Sequence, residues 1–400
     1  MNRSGAHYKV VIVGGGTAGI SVAARLLRKS RDFFGRIAVV DFATKHYYQP
    51  LWTLVGAGEV SKETTEREEA SVIPHGAVWV QDAVTELEPD DNAVVTASGT
   101  RLHYDYLVVA AGIQVDWKKI KGLKESMGKD GVCSNYSYDF VDSTWDAIRH
   151  FQGGEAIFTN PNTPVKCGGA PQKIMYVADD YFRKSDVRSR SAIRFVSGGT
   201  SLFAVKKYAD ALQKVIERKQ IETRFKHNLV EIVGEKKQAV FENLDTNEHV
   251  VMPYDMIHVV PPMSAPDFIK KSPLAAGDGW IDVDKHTLQH KRFANVFGVG
   301  DCTNLPTSKT GAAIRKQAPI VVQNLMSMIQ GKPLSDHYNG YTSCPLVTGY
   351  GKLILAEFDY ELNPRESFPF DQSRERRSMY LLKKDVLPLF YWKGMLKGRM

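Results

Sequence analysis

Two sets of residues in this chain are suited to chemistry. Gly14, Gly16 and Gly19 stand in G-x-G-x-x-G order after the apolar run Val10-Val11-Ile12-Val13. The first glycine suits a tight turn, the second lets backbone approach a pyrophosphate, and the third lets a helix pack closely on the strand. Thr17 and Ala18 then open a helix whose N-terminus offers partial positive charge to phosphates. Asp41 follows the next apolar run, Ile37-Ala38-Val39-Val40, 22 positions past Gly19, where a ribose hydroxyl needs an acceptor. The second set centres on Cys167. Pro171 suits the first turn of a helix beginning just after it, and Lys166 and Lys173 flank it. Cationic neighbours and a helix N-terminus both favour a thiolate.

These groups need strands and helices to hold them. Residues 42–52 are rich in aromatics and include Gln49, a candidate cofactor contact. This loop either covers a flat ring or simply fills the core. Val78-Trp79-Val80 and Ala93-Val94-Val95-Thr96 read as a small antiparallel insertion. A buried strand follows from Tyr104, ending in Ala110-Ala111-Gly112, small residues that let backbone approach a ligand. A second unit repeats this plan. It has strands at Ala156-Ile157-Phe158-Thr159 and at 192–196, helices over about 173–182 and 203–218, and an antiparallel insertion at 229–251. It closes on a Tyr254-Asp255 strand, 150 residues after Tyr104-Asp105. This weak internal repeat predicts two dinucleotide-type domains, one nested in the other. The chain then returns to the first domain through the strand ending Gly298-Val299-Gly300-Asp301, and a helix is expected over about 311–329. Asp301 can accept from a ribityl hydroxyl, and Gly300 lets the chain pass close to a cofactor.

Composition narrows the classes. Four hundred residues, 43% hydrophobic and 24% charged, suit a globular protein of two domains with a smaller third region. No run of about 20 apolar residues suggests a transmembrane helix. The first strand begins so early that no signal or transit peptide is expected, although a mature form would look the same. The net charge of +7 comes with no nucleic-acid module and is compatible with an anionic membrane surface. Cys133, Cys167, Cys302 and Cys344 are too few for a disulfide scaffold, and no pair has zinc spacing, so no metal is expected.

Three stretches together resemble the FAD-binding signatures of the two-dinucleotide-domain flavoproteins: Gly14-x-Gly16-x-x-Gly19, Ala110-Ala111-Gly112, and Val296-Phe297-Gly298-Val299-Gly300-Asp301. In most relatives a second G-x-G-x-x-G binds a nicotinamide. Here that place holds Asn160-Pro161-Asn162-Thr163-Pro164-Val165-Lys166-Cys167-Gly168-Gly169, and Ser197-Gly198-Gly199 lacks a third glycine. This departure is similar to the sulfide:quinone oxidoreductases, in particular the mitochondrial type and its bacterial relatives. Residues 302–310, 341–350, Phe358-Asp359-Tyr360 and Phe368-Pro369-Phe370-Asp371 also match, so the likeness covers most of the chain.

The resemblance implies an α/β fold with two Rossmann-like domains and a membrane-interacting C-terminal region. The expected boundaries are 1–112 with 264–335 for FAD, 113–263 for the nested domain, and 336–400 for the quinone and membrane region. It implies FAD held by Gly14, Gly16, Thr17, Ala18, Gly19, Asp41, Gln49, Ala111, Gly112, Gly300 and Asp301. Lys309 is placed near the flavin or quinone, with a surface lysine as the alternative. Cys167 and Cys344 fall at the positions of a redox pair, 177 residues apart. Hydrogen sulfide attacks their disulfide or a trisulfide form, and Cys344 takes the sulfur as a persulfide. Cys167 leaves as a thiolate and adds to the flavin. An acceptor thiol or sulfite then removes the sulfur, and ubiquinone or a related quinone takes the electrons. Cys133 and Cys302 read as structural. The segment 379–399 alternates apolar, aromatic and basic residues, as expected of an interfacial segment or of a helix packed on the protein's own surface. The expected place is the surface of a bacterial cytoplasmic membrane, or of the mitochondrial inner membrane for a mature eukaryotic form. A homodimer is compatible with the resemblance. Alternatives are a single-subunit NADH:quinone oxidoreductase, a sulfide dehydrogenase using a cytochrome, and a non-catalytic flavin-dependent sensor.

Overall fold

The computed structural model describes residues 6–400. The first five residues of the expected FAD domain lie outside the described residues. Strand His7–Val13 ends in four buried β-branched side chains, Val10 to Val13, with no polar face to expose. Such a strand needs cover on both sides, which a parallel sheet provides. It pairs in parallel with Ile37–Val40 and with Arg101–Val109, and Val296–Gly298 adds in parallel beyond the latter. Helix Thr17–Lys29 buries Ile20, Val22, Ala23 and Leu26, and helix Gly311–Ile329 packs beside it. The latter spans the residues expected of it.

Ala93–Thr96 and Val84–Glu88 continue the first sheet antiparallel beyond Arg101–Val109. The second sheet is parallel throughout, in the order Val132–Cys133, Met256–His258, Gly154–Asn160, Ser191–Ser197, Glu222–Arg224. A three-stranded antiparallel sheet of His227–Val233, Gln238–Asn243 and His249–Pro253 stands where the second insertion was expected. Two local expectations change. Ala77–Val80 was read into an antiparallel insertion, yet it pairs in parallel with Ile37–Val40 at the edge of the first sheet. A short half-buried edge strand shows the same alternation in either setting, so pattern alone could not separate them. The strand from Tyr254 pairs only over Met256–His258. Pro261 and Pro262 have no amide hydrogen with which to continue the ladder.

The remaining chain forms an antiparallel hairpin, Thr342–Gly349 with Lys352–Phe358, that packs against helix Ala170–Lys184. It ends in helices Arg377–Leu381 and Leu387–Lys393, joined by a wide π turn over Leu382–Val386. The wide turn precedes Pro388, whose nitrogen cannot donate to the carbonyl four residues back. This C-terminal segment lies on helix Thr17–Lys29 and buries Met379, Tyr380, Lys383, Tyr391, Met395 and Leu396. Among the described residues no helix is long and apolar enough to cross a membrane.

Candidate active site

The glycine loop packs backbone on backbone. Gly14 has φ +105°, and a Cβ there would sit 2.5 Å from the Ala110 carbonyl oxygen. A Cβ on Gly19 would overlap the Gly14 carbonyl, so the helix closes on the strand only because that side chain is absent. Gly16 has nothing within 4 Å of its Cβ position and faces open space. The Asp41 carboxylate accepts from the Gly15 N–H at 2.5 Å and from the Ala43 N–H at 2.8 Å. On the other side of the cleft the Gly300 N–H donates to Gln317 Oε1 at 2.9 Å. Burial raises the Asp301 carboxyl above its usual value, opposed by Lys309 and Lys166. Lys309 is no surface lysine: its Nζ donates to the carbonyls of Asp301 and Thr303, 3.8 Å from the centre of the Trp280 ring.

Cys167 sits with φ +60° in the loop before helix Ala170–Lys184, whose first turn carries Pro171. The loop is pinned to residues 308–309. The Cys167 N–H donates to the Lys309 carbonyl at 2.7 Å, and the Gly168 N–H to Ser308 Oγ at 3.1 Å. Cys344 comes from the middle of strand Thr342–Gly349 and is fully buried. A Cβ on Gly169 would overlap the Leu346 side chain, so hairpin and helix interlock next to the two sulfurs. The two cysteines are not joined in this structure, and Cys344 lies against Cys167. Lys173 Nζ lies 3.4 Å from Cys167 Sγ, and Ser308 Oγ lies 3.5 Å from Cys344 Sγ.

This arrangement separates the two thiols electrically. The interaction with Cys344 holds Cys167 well below the ordinary thiol value against the effect of burial, helped by the Lys173 charge and hydrogen bond and the Gly169 N–H. The same contact, with burial, pushes Cys344 up. These opposite directions favour the proton on Cys344 and the negative charge on Cys167. The sequence placed both Lys166 and Lys173 beside the thiol, and only Lys173 reaches it. Lys166 pairs with Lys309 through its backbone, and its side chain donates to Gln49 Oε1 at 2.7 Å. Burial lowers the Lys166 amine to about 8.

Sequence reading missed Lys383. This buried lysine donates to the Pro50 carbonyl at 2.6 Å and feels the charges of Lys173 and Cys167. Burial, with Lys173 adding, lowers it to about 7. Nothing in a run of alternating lysines and apolar residues marks one lysine as inward. Cys133 and Cys302 are fully buried. Their thiols donate to the carbonyls of Ile257 at 3.5 Å and Val109 at 3.4 Å. Burial pushes them up to about 12 and about 11, so both stay protonated near neutrality.

Residues 8–140 match the model of the pyridine nucleotide-disulphide oxidoreductase family. The chain is 52% identical to the mitochondrial sulfide:quinone oxidoreductase of Mus musculus over 98% of its own length and 87% of the relative's. It is also 52% identical to that of Dictyostelium discoideum, over 98% and 86%. The chain belongs to the sulfide:quinone oxidoreductase family. The crystal structure of the sulfide:quinone oxidoreductase from Aquifex aeolicus superposes with a TM-score of 0.83 at 19% identity, covering 98% of this chain and 92% of that one, which bears out the two-sheet α/β fold. Sulfide:quinone oxidoreductases of this type are oxidoreductases, and membership implies a bound flavin. The cleft fits one: it has an open face at Gly16, an acidic acceptor at Asp41, and an unpartnered buried carboxylate oxygen on Glu69 beside Gly15. The NADH:quinone alternative loses ground, because the loop that would hold a nicotinamide carries Cys167.

Proposed function

We propose that this protein oxidises hydrogen sulfide through a Cys167–Cys344 disulfide and passes the electrons by way of FAD to a membrane quinone, ubiquinone for preference. The observation that carries the reading is the asymmetric pair: Cys167 with Lys173 at 3.4 Å, and Cys344 with the uncharged Ser308 hydroxyl at 3.5 Å. Hydrosulfide attacks the Cys344 sulfur of the disulfide. The new sulfur–sulfur bond leaves Cys344 as a persulfide, and the old one breaks with its electron pair on Cys167. A good leaving thiol is one whose thiolate is stabilised, and Lys173 and the Gly169 N–H supply that stabilisation. The outer persulfide sulfur then goes to a thiol or to sulfite.

FAD, when bound, supplies the two-electron relay from the thiol pair to the quinone. Gly14, Gly16, Thr17, Ala18, Gly19 and Asp41 would hold its phosphates and adenosine ribose. Gln49, Ala111, Gly112, Gly300, Asp301 and Lys309 would line its flavin half. In domain terms, 1–112 with 264–335 bind FAD, 113–263 carry the redox cysteine, and 336–400 serve quinone and membrane. Leu381, Leu389 and Phe390, each 45–47% exposed on the C-terminal segment, give an apolar patch for a monotopic contact with a bacterial cytoplasmic or mitochondrial inner membrane.

The test is a visible spectrum during titration with sulfide, with and without a soluble quinone. Rapid bleaching of a flavin band and its return on adding quinone are expected. A flavin that sulfide does not reduce would overturn the reading.

A further inference from the structure

Beyond the redox pair lies a buried chain of hydrogen bonds that joins the C-terminal segment to the glycine loop. Thr17 Oγ1 lies 2.8 Å from the Tyr391 hydroxyl, and that hydroxyl lies 2.6 Å from His46 Nε2. His46 Nδ1 lies 3.2 Å from Glu69 Oε2. His46, Glu69 and Tyr391 are 4%, 2% and 7% exposed, so none of these bonds competes freely with water. One consistent set of donors runs from Thr17 to Tyr391, from Tyr391 to His46 Nε2, and from His46 Nδ1 to Glu69 Oε2. Glu69 Oε1 has no partner.

That oxygen has a direction. It lies 2.6 Å from the point where a Gly15 Cβ would stand, and Asp41 Oδ2 lies 3.2 Å from the same point. Two carboxylate oxygens thus converge over the glycine loop; Asp41 Oδ2 accepts from the Gly15 N–H, while Glu69 Oε1 has no donor. Burying a carboxylate oxygen without a donor is costly. A ligand presenting two adjacent hydroxyls there would satisfy both, and the ribose already read onto Asp41 is such a ligand.

We propose that Glu69 is a second carboxylate ligand of the cofactor's adenosine ribose, and that Tyr391 is a positioning residue that holds Glu69 in place through His46. This rests on the FAD reading above. The C-terminal segment then contributes to cofactor retention from the far side of the loop, and Glu69 rather than Asp41 alone sets the preference for an intact ribose.

The test measures FAD affinity and release in the holoenzyme, by flavin fluorescence, against FAD analogues lacking either adenosine ribose hydroxyl. In the wild type one analogue binds about tenfold or more weakly, as expected for a lost hydrogen bond to a charged group. Glu69→Gln loses a similar factor for FAD itself and discriminates little further against that analogue, because the two changes remove the same contact. Tyr391→Phe gives a smaller loss with the same blunted discrimination. Analogues that bind the wild type as tightly as FAD would overturn the proposal, even were Glu69→Gln to misfold. So would additive losses in the variant. A wild-type protein that holds no flavin would instead overturn the FAD reading itself.

Discussion

The chain builds the same strand, loop and helix twice and puts different chemistry in the two loops. After His7–Val13 the loop is Gly14 to Gly19, backbone packed on backbone around an open face. After Gly154–Asn160 the loop carries Pro161, Pro164 and Cys167, tied by its own amides to Lys309 and Ser308. The first loop presents N–H groups and space, which suits a phosphate. The second presents one sulfur and a lysine, which suits sulfur exchange. The scaffold is shared and the function lies in what each loop carries.

The largest effect should come from removing the sulfur of the second loop's pair. Cys167→Ser and Cys344→Ser should each lower sulfide-dependent flavin reduction by on the order of 10³-fold or more, since residues that act as a unit fail together. Flavin content and its absorption spectrum should stay those of the wild type. Stopped-flow mixing with sulfide reads this directly, and wild-type rates in Cys344→Ser would remove the redox role of the second sulfur.

A paired substitution tests whether the two loops are as different as they look. Gly14→Ala forces a Cβ to within 2.5 Å of the Ala110 carbonyl at φ +105°. A strained backbone of this kind costs on the order of 1–3 kcal/mol, and the clash adds to it, so the protein should lose most of its flavin and melt earlier. Gly168→Ala has its nearest neighbour at 3.7 Å, on Ser308, and should keep both flavin and melting temperature. Equal losses in the two variants would show that the second loop is also a close-packed cradle.

A smaller effect is expected from Lys173→Met. The wild-type Cys167 thiol is depressed, so in reduced protein its thiolate persists to lower pH than that of an ordinary thiol. Without the lysine its value rises toward the ordinary thiol range, by about one unit for one nearby charge. Below that raised value the thiolate fraction falls tenfold per pH unit. Alkylation of reduced protein with iodoacetamide should therefore be nearly flat with pH near neutrality in the wild type. In Lys173→Met the fall-off in rate should set in about one pH unit higher than in the wild type. The same pH profile in both would mean that Cys344 and the Gly169 N–H hold the charge unaided.

What was readable from sequence divides by distance along the chain. The glycine spacing, Asp41, and the Cys167–Pro171–Lys173 grouping were legible because each rests on local geometry. Helix Gly311–Ile329 was legible for the same reason. The partnership of Cys167 with Cys344 spans 177 residues and came only from resemblance. Lys383 on the Pro50 carbonyl and Tyr391 on His46, 333 and 345 residues apart, were invisible, because packing alone selects which side of the C-terminal segment turns inward. Even Lys166 misled, since its amine turns to Gln49, a partner 117 residues away in the chain.

The smallest effect concerns the outward side of that segment. Removing it wholesale would strip Lys383 and Tyr391 from the site, so a truncation cannot separate membrane contact from chemistry. Leu389→Ser with Phe390→Ser touches only exposed side chains. Burying each half-exposed apolar group in lipid contributes roughly 1 kcal/mol, so together they should lower vesicle binding by about 30-fold. Flavin content and turnover with a soluble quinone should be unchanged, because neither residue faces the loops. Flotation with anionic vesicles measures the first and a quinone assay the second. Undiminished flotation would place the membrane contact elsewhere and leave the C-terminal segment as a brace for the cofactor loop alone.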